Sequence, residues 1–170
     1  PSWVKRDFEK YPRAKDQQGK PLEILSAFGD ASCEADAKAF AALMKHIREV
    51  DANQQTVIMM QVENEIGLLD NMGKSPGNAR RDFSDLANAS YNGTVPKELI
   101  DYLTANKESL FPELHKFWET NGFKTAGSWE EVFGKSELRR EKKDWKFYSC
   151  YTEELFMAWN YARYVGKIAA

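Results

Sequence analysis

Residues 56–67 read Thr56-Val57-Ile58-Met59-Met60-Gln61-Val62-Glu63-Asn64-Glu65-Ile66-Gly67. From Val57 to Met60 the run is apolar at both alternating positions. A strand with one wet face alternates apolar and polar residues, whereas a strand covered on both faces does not. The run therefore predicts a buried strand over 56–62. Its Val and Ile content supports strand over helix, and Asn53-Gln54-Gln55 supplies a turn before it. Two acids follow at once. Side chains alternate along a strand, so Gln61, Glu63 and Glu65 are expected on one face. Carboxylates at the end of a buried strand are costly unless paired, hydrogen-bonded or protonated. A catalytic site gives such a cluster a reason to exist. A solvated strand end followed by a turn accounts for the same residues, and physical reasoning alone leaves both readings open.

Upstream, Phe40, Leu43, Met44, Ile47 and Val50 recur at helical spacing and predict a helix over 33–50. Asp30 or Ser32 is expected to cap it, and Asp51-Ala52-Asn53 to end it. A helix followed within a few residues by a strand apolar on both faces is the alternation of an α/β protein with a parallel sheet. In such sheets active sites lie at the carboxyl ends of the strands. Residues 1–29 read as irregular, broken by Pro12, Gly19, Pro21 and Gly29, with a short strand over 22–25.

Downstream, residues 66–95 show no clear period and are punctuated by Gly67, Gly73, Pro76, Gly77 and Gly93. Segments of this length without secondary structure are uncommon in compact domains. Phe83, Leu86 and Tyr91 predict an ordered loop. Asn88-Ala-Ser and Asn92-Gly-Thr match the glycosylation pattern, which is short enough to arise by chance. Pro96 suits the start of a helix with Leu99, Ile100 and Leu103 on its face. A second helix is predicted over 110–120, stopped by Asn121-Gly122. A short turn follows over 129–133. A long helix runs from about Thr152, with Leu155, Phe156, Trp159 and Ala162 at helical spacing.

The 170 residues fit one ordinary domain, with 42% hydrophobic and 29% charged residues. A net charge of −2 gives no electrostatic case for nucleic acid or an anionic membrane, so neither is expected as a partner. Arg139, Arg140, Lys142 and Lys143 cluster, but Glu137, Glu141 and Asp144 interrupt them, as on a solvated helix face. Cys33 and Cys150 are read as free thiols, and the distant His46 and His115 make no zinc spacing. No metal and no cofactor are expected. No stretch is apolar enough to span a membrane. The chain begins Pro1-Ser2-Trp3 and ends inside a helical pattern, so it is expected to be an excerpt of a longer protein.

Two acids suggest glycoside hydrolysis, which sets a carboxylic acid and a carboxylate about one bond. Glu63 and Glu65 stand two strand steps apart, about 6.6 Å at ~3.3 Å per residue. That falls between the retaining separation of about 5–5.5 Å and the inverting limit of about 6.5 Å, so spacing selects no mechanism. Residues on one strand also point in parallel, so a second catalytic acid is expected from another strand.

Gln61-Val62-Glu63-Asn64-Glu65-Ile66-Gly67 resembles the strand-four motif of β-galactosidases in glycoside hydrolase families 35 and 42. These belong to a clan of retaining (β/α)8-barrel glycosidases. The resemblance implies an α/β fold, with residues 1–170 forming part of a (β/α)8 TIM barrel from about the end of strand three through helix four. It implies that Glu65 is the general acid/base and that Asn64 holds the sugar 2-hydroxyl. Glu63 matches a residue that these families keep without using it as the acid. Pro1-Ser2-Trp3-Val4-Lys5 looks like the segment after the third strand, which makes Trp3 a candidate substrate-binding ring. Ser84-Asp85-Leu86-Ala87-Asn88 looks like a bacterial subgroup that degrades plant or algal polysaccharide. Ile66 stands where the families often carry Tyr. The clan's nucleophile, a Glu ending the seventh strand, has no counterpart here, so the excerpt alone is expected to be inactive. The implied partner is a carbohydrate substrate, and the implied compartment is periplasmic or secreted. Two rivals remain: an inactive carbohydrate-binding barrel, and a separate small α/β domain with no sugar role.

Overall fold

The computed structural model describes residues 2–64, 66–67, 81–135 and 151–170, the side chain of Tyr151 excepted. Among these the elements are β1 (Arg13–Lys15), β2 (Pro21–Leu25), α1 (Asp30–Asp51), α2 (Asp85–Tyr91), α3 (Lys97–Ala105), α4 (Pro112–Thr120), α5 (Trp129–Phe133) and α6 (Tyr151–Ala169), with 3-10 turns at Val4–Arg6 and Lys107–Ser109.

The strand expected over 22–25 forms as β2, and it pairs antiparallel with β1, a partner the sequence reading left in irregular chain. The turn between them is closed by Asp16, whose Oδ1 accepts from the backbone N–H groups of Gln18 and Lys20. Gly19 sits there at φ 78°, a conformation glycine adopts without a Cβ clash. The helix expected over 33–50 is α1. It starts earlier, at Asp30, with Gly29 as its cap residue and no side-chain cap, so neither Asp30 nor Ser32 performs that role. It ends at Asp51, where the turn was expected.

The core lies among α3 to α6, with Tyr91 of α2 and Ala14 of β1. Leu99, Ile100 and Leu103 are buried on the face that their spacing predicts. Pro112 occupies the first turn of α4, where its missing N–H costs nothing. Helix α5 carries a capping box: the Ser128 hydroxyl accepts from Glu131 N–H, and the Glu131 carboxylate accepts from Ser128 N–H at 2.7 Å. Phe156 of α6 is the hub of the ring packing. It stacks on Phe28 at 5.2 Å and meets Tyr91 and Trp129 edge-on, each at 5.1 Å. The buried Trp118 keeps its indole N–H satisfied by the Lys124 carbonyl. Among the described residues helix α6 covers the stretch expected from about Thr152, but Ala162 is exposed rather than part of its buried face.

Two expectations are corrected. The first concerns residues 66–95, whose described part holds α2, capped by the Ser84 hydroxyl, rather than loop throughout. Seven mostly small or polar residues give too short a window for helical period to show. The second concerns the strand over 56–62, which does not form. Asp51 accepts from the N–H groups of Thr56 and Val57, and beyond that point residues 58–64 make no backbone ladder with any described segment. Ile58 is 91% and Met59 86% exposed. A run apolar on both faces needs a neighbouring strand on each edge and cover on each face. Neither the hairpin nor the helices supply these. The second half of α1 shares this condition, with Leu43 and Val50 exposed.

Candidate functional site

The segment carrying the expected site leaves Asp51 in an irregular course. Asp51 holds its start through three donors, the Thr56 hydroxyl and the Thr56 and Val57 N–H groups. These bonds, the Thr56 hydroxyl first, lower the Asp51 pKa. At the far end, Gln61 turns back on its own chain. Its Nε2 donates to the Glu63 carbonyl at 2.7 Å and to Asn64 Oδ1 at 3.1 Å. The amide of Asn64 is thereby oriented while its residue stays exposed, and its Nδ2 has no partner among the described residues. Glu63 is half-buried and carries no ion pair among the described residues. Glu65 lies outside the described residues, as do the basic cluster at 139–143, Gly73, Pro76, Gly77 and Cys150.

Glu63 approaches α6. Burial, then a hydrogen bond donated to Asp36, raises the pKa of Tyr164, and the Glu63 charge adds a smaller push in the same direction. Cys33, buried beside the Tyr164 carbonyl, is likewise pushed up, chiefly by desolvation. The first turns of α1 thus lie against the last turns of α6, where Lys167 also pairs with Asp30 at 3.2 Å. A cleft of about 210 Å³ opens there, with Arg163, Asn160 and Lys167 on its wall. It shares no residue with the segment from Gln61 to Glu65, and it is smaller than ligand pockets, commonly about 300–1,000 Å³.

Trp3 sits on a different surface. Its ring is 49% exposed and meets Tyr11 edge-on at 5.0 Å. Lys10 Nζ lies 5.5 Å from the Tyr11 centroid. Arg13 lies 6.0 Å from the centroid of the exposed Phe8 and donates to the Glu23 carbonyl at 2.6 Å. Trp3 is therefore available for stacking, and the Tyr11 ring that it meets is flanked by Lys10.

A buried polar network passed unnoticed in the sequence. Asp82 accepts from Ser26 Oγ at 2.5 Å, Lys15 N–H at 3.0 Å and Ser84 N–H at 2.7 Å. Arg81 stands between rings, 3.9 Å from the Tyr91 centroid. It donates to Glu153 at 3.0 Å and to Asn88 at 2.6 Å. Together they fasten the hairpin and α2 to α6. The only sequence signal is the Arg81-Asp82 pair directly before the apolar Phe83 and the cap Ser84. Asn88 also spends its Nδ2 on the Phe83 carbonyl. Its carboxamide is engaged at both ends, which leaves it poorly placed as a glycan acceptor.

Among the described residues no group of three or more His, Cys, Asp or Glu could hold a metal ion, and no helix is long and apolar enough to cross a membrane. Comparison with protein-family models and with curated proteins finds no match to this chain.

Proposed function

We propose that the chain is part of a retaining β-glycosidase of the β-galactosidase type, built on a (β/α)8 barrel, with Glu65 as its general acid/base. The observation that carries the reading is the run from Gln61 to Gly67, directly after an apolar segment. The geometry around Asn64 supports it: an exposed carboxamide, oriented by Gln61 and with no partner for its N–H groups among the described residues, suits a ligand for a sugar hydroxyl. In this mechanism Glu65 protonates the leaving glycosidic oxygen. After a glycosyl-enzyme forms on an acid from elsewhere in the protein, Glu65 takes the proton of the attacking water.

The test is Glu65→Gln in the full-length protein, assayed on a β-galactoside with a poor leaving group. General acid–base groups contribute about 10²–10⁴-fold, so a loss in that range is expected. Glu65→Ala is expected to regain turnover with azide on an activated substrate. Activity within a few-fold of wild type in Glu65→Gln sinks the assignment. A second reading, sugar recognition without catalysis, is favoured by the exposed rings of Trp3 and Phe8. It predicts glycan binding with no turnover in the wild type.

A further inference from the structure

The first fifteen residues hold five cations, Lys5, Arg6, Lys10, Arg13 and Lys15, against two anions, Asp7 and Glu9, in a chain whose net charge is −2. Lys15 is neutralised by Asp85 at 3.1 Å. Lys5, Arg6, Lys10 and Arg13 have no ion pair among the described residues. Asp7, next to Arg6 in sequence, instead accepts from the Lys10 backbone N–H at 2.9 Å.

Two of these cations, Lys10 and Arg13, lie over aromatic rings. Arg13 lies over Phe8 and Lys10 over Tyr11, while Trp3 is exposed with no cation over its ring among the described residues. An aromatic face carries negative potential, which attracts cations and the polarised C–H groups of a sugar ring alike. Arg13 is held in place by its bond to the Glu23 carbonyl, which leaves the rest of its donor fork for an external oxyanion. An exposed ring in the same short segment as two cations that have no ion pair among the described residues, one of them over the Tyr11 ring that Trp3 meets, is complementary to a ring-shaped ligand that carries its own negative charge.

We propose that this surface binds an anionic sugar unit, bearing a uronate carboxylate or a sulfate ester, with Trp3 stacking on its ring and Lys10 and Arg13 pairing with its charge. The inference rests on the glycosidase reading for the kind of polymer, and it narrows that polymer to charged glycans. A single-stranded polynucleotide offers stacking bases and phosphates to the same residue types, so it is the competitor that the test must include.

The experiment is titration calorimetry on the full-length protein. The probes are polygalacturonate and a sulfated galactan, each beside its carboxyl-reduced or desulfated form, and single-stranded oligothymidylate. One charged glycan is expected to bind at least about tenfold tighter than its neutralised form at low salt. That preference is expected to shrink several-fold by about 0.5 M NaCl, where screening is short-ranged. Lys10→Gln combined with Arg13→Gln is expected to erase the preference, while Trp3→Ala weakens charged and neutral forms alike. Arg13 also supports the hairpin, so Lys5→Gln with Lys10→Gln serves as a second pair and Arg13→Lys as a charge-retaining control. Which polymer is preferred separates carboxylate from sulfate. Equal affinity for charged and neutralised forms overturns the proposal, as does oligothymidylate binding as tightly as the glycan. Hydrolysis by Glu65→Gln is scored separately. If it persists while the charge preference holds, the catalytic assignment fails and the binding surface stands.

Discussion

The helical body around Phe156 and the arm formed by residues 52–64 with the second half of α1 are built from similarly apolar sequence, yet they end in opposite conditions. In the body, Trp118, Trp129, Val132, Phe133 and Phe156 are almost wholly buried. In the arm, Val50, Val57, Ile58 and Met59 face solvent. The difference lies in what each needs for closure. Helices satisfy their backbones internally, so side-chain packing alone completes the body. An extended segment must find its hydrogen bonds in another segment. Asn64, proposed to hold the sugar, sits on the part that is not self-sufficient, and the buried core lies in the other.

The largest effect expected from this contrast is at Phe156. Three rings lean on it, so Phe156→Ala leaves a cavity that no small shift fills. The expected loss is about 3–5 kcal/mol, read as a lowered urea midpoint at unchanged slope. A loss under about 1 kcal/mol breaks the comparison, because the body is then no better packed than the arm.

Next is the Arg81–Glu153 pair. Both side chains are largely buried, at 7% and 15% exposure. Glu153→Gln leaves the guanidinium among rings without its counter-charge, and removing one partner of a buried pair costs about 3–5 kcal/mol. Replacing both at once, Arg81→Met with Glu153→Leu, is expected to cost much less, because neither charge of this pair is left facing an uncharged partner. Additive losses in this cycle mean that the two side chains do not act as a pair.

What the sequence made legible follows the same division. Helix α5 spans the residues predicted for it, α4 stops at the predicted Asn121-Gly122, and α3 buries the predicted face, because cap, period and stop signal all lie within a few residues of one another. The β1 partner of β2 was missed because pairing joins residues 13–15 to 21–25 through a turn that Asp16 closes, and no periodicity in either strand announces it. Arg81 and Asp82 were missed because charged residues read as surface until their donors and acceptors are seen. For the candidate site, the motif was legible as a string and Asn64 as an available amide. The orientation of Glu63 and Glu65 along a common strand face was not, since it assumed a ladder that the described residues do not form. The Trp3 surface was half legible: the ring was singled out, and its edge-on contact with Tyr11 was not.

The smallest effect expected in the 170-residue chain separates the two conditions most sharply. Ile58 touches little in this structure, so Ile58→Ala changes the unfolding free energy there, read by urea denaturation, by no more than about 0.5 kcal/mol. The barrel reading requires the opposite in the full-length protein, where strands on either side and helices on one face cover residues 56–62. There the same substitution is expected to cost about 2–5 kcal/mol, as for other buried aliphatic truncations. A large loss only in the full-length protein means that the arm is completed by segments beyond this chain, and it supports the barrel proposal. A negligible loss in both means that the apolar run stays exposed, and the catalytic assignment of Glu65 then loses the strand end on which it depends.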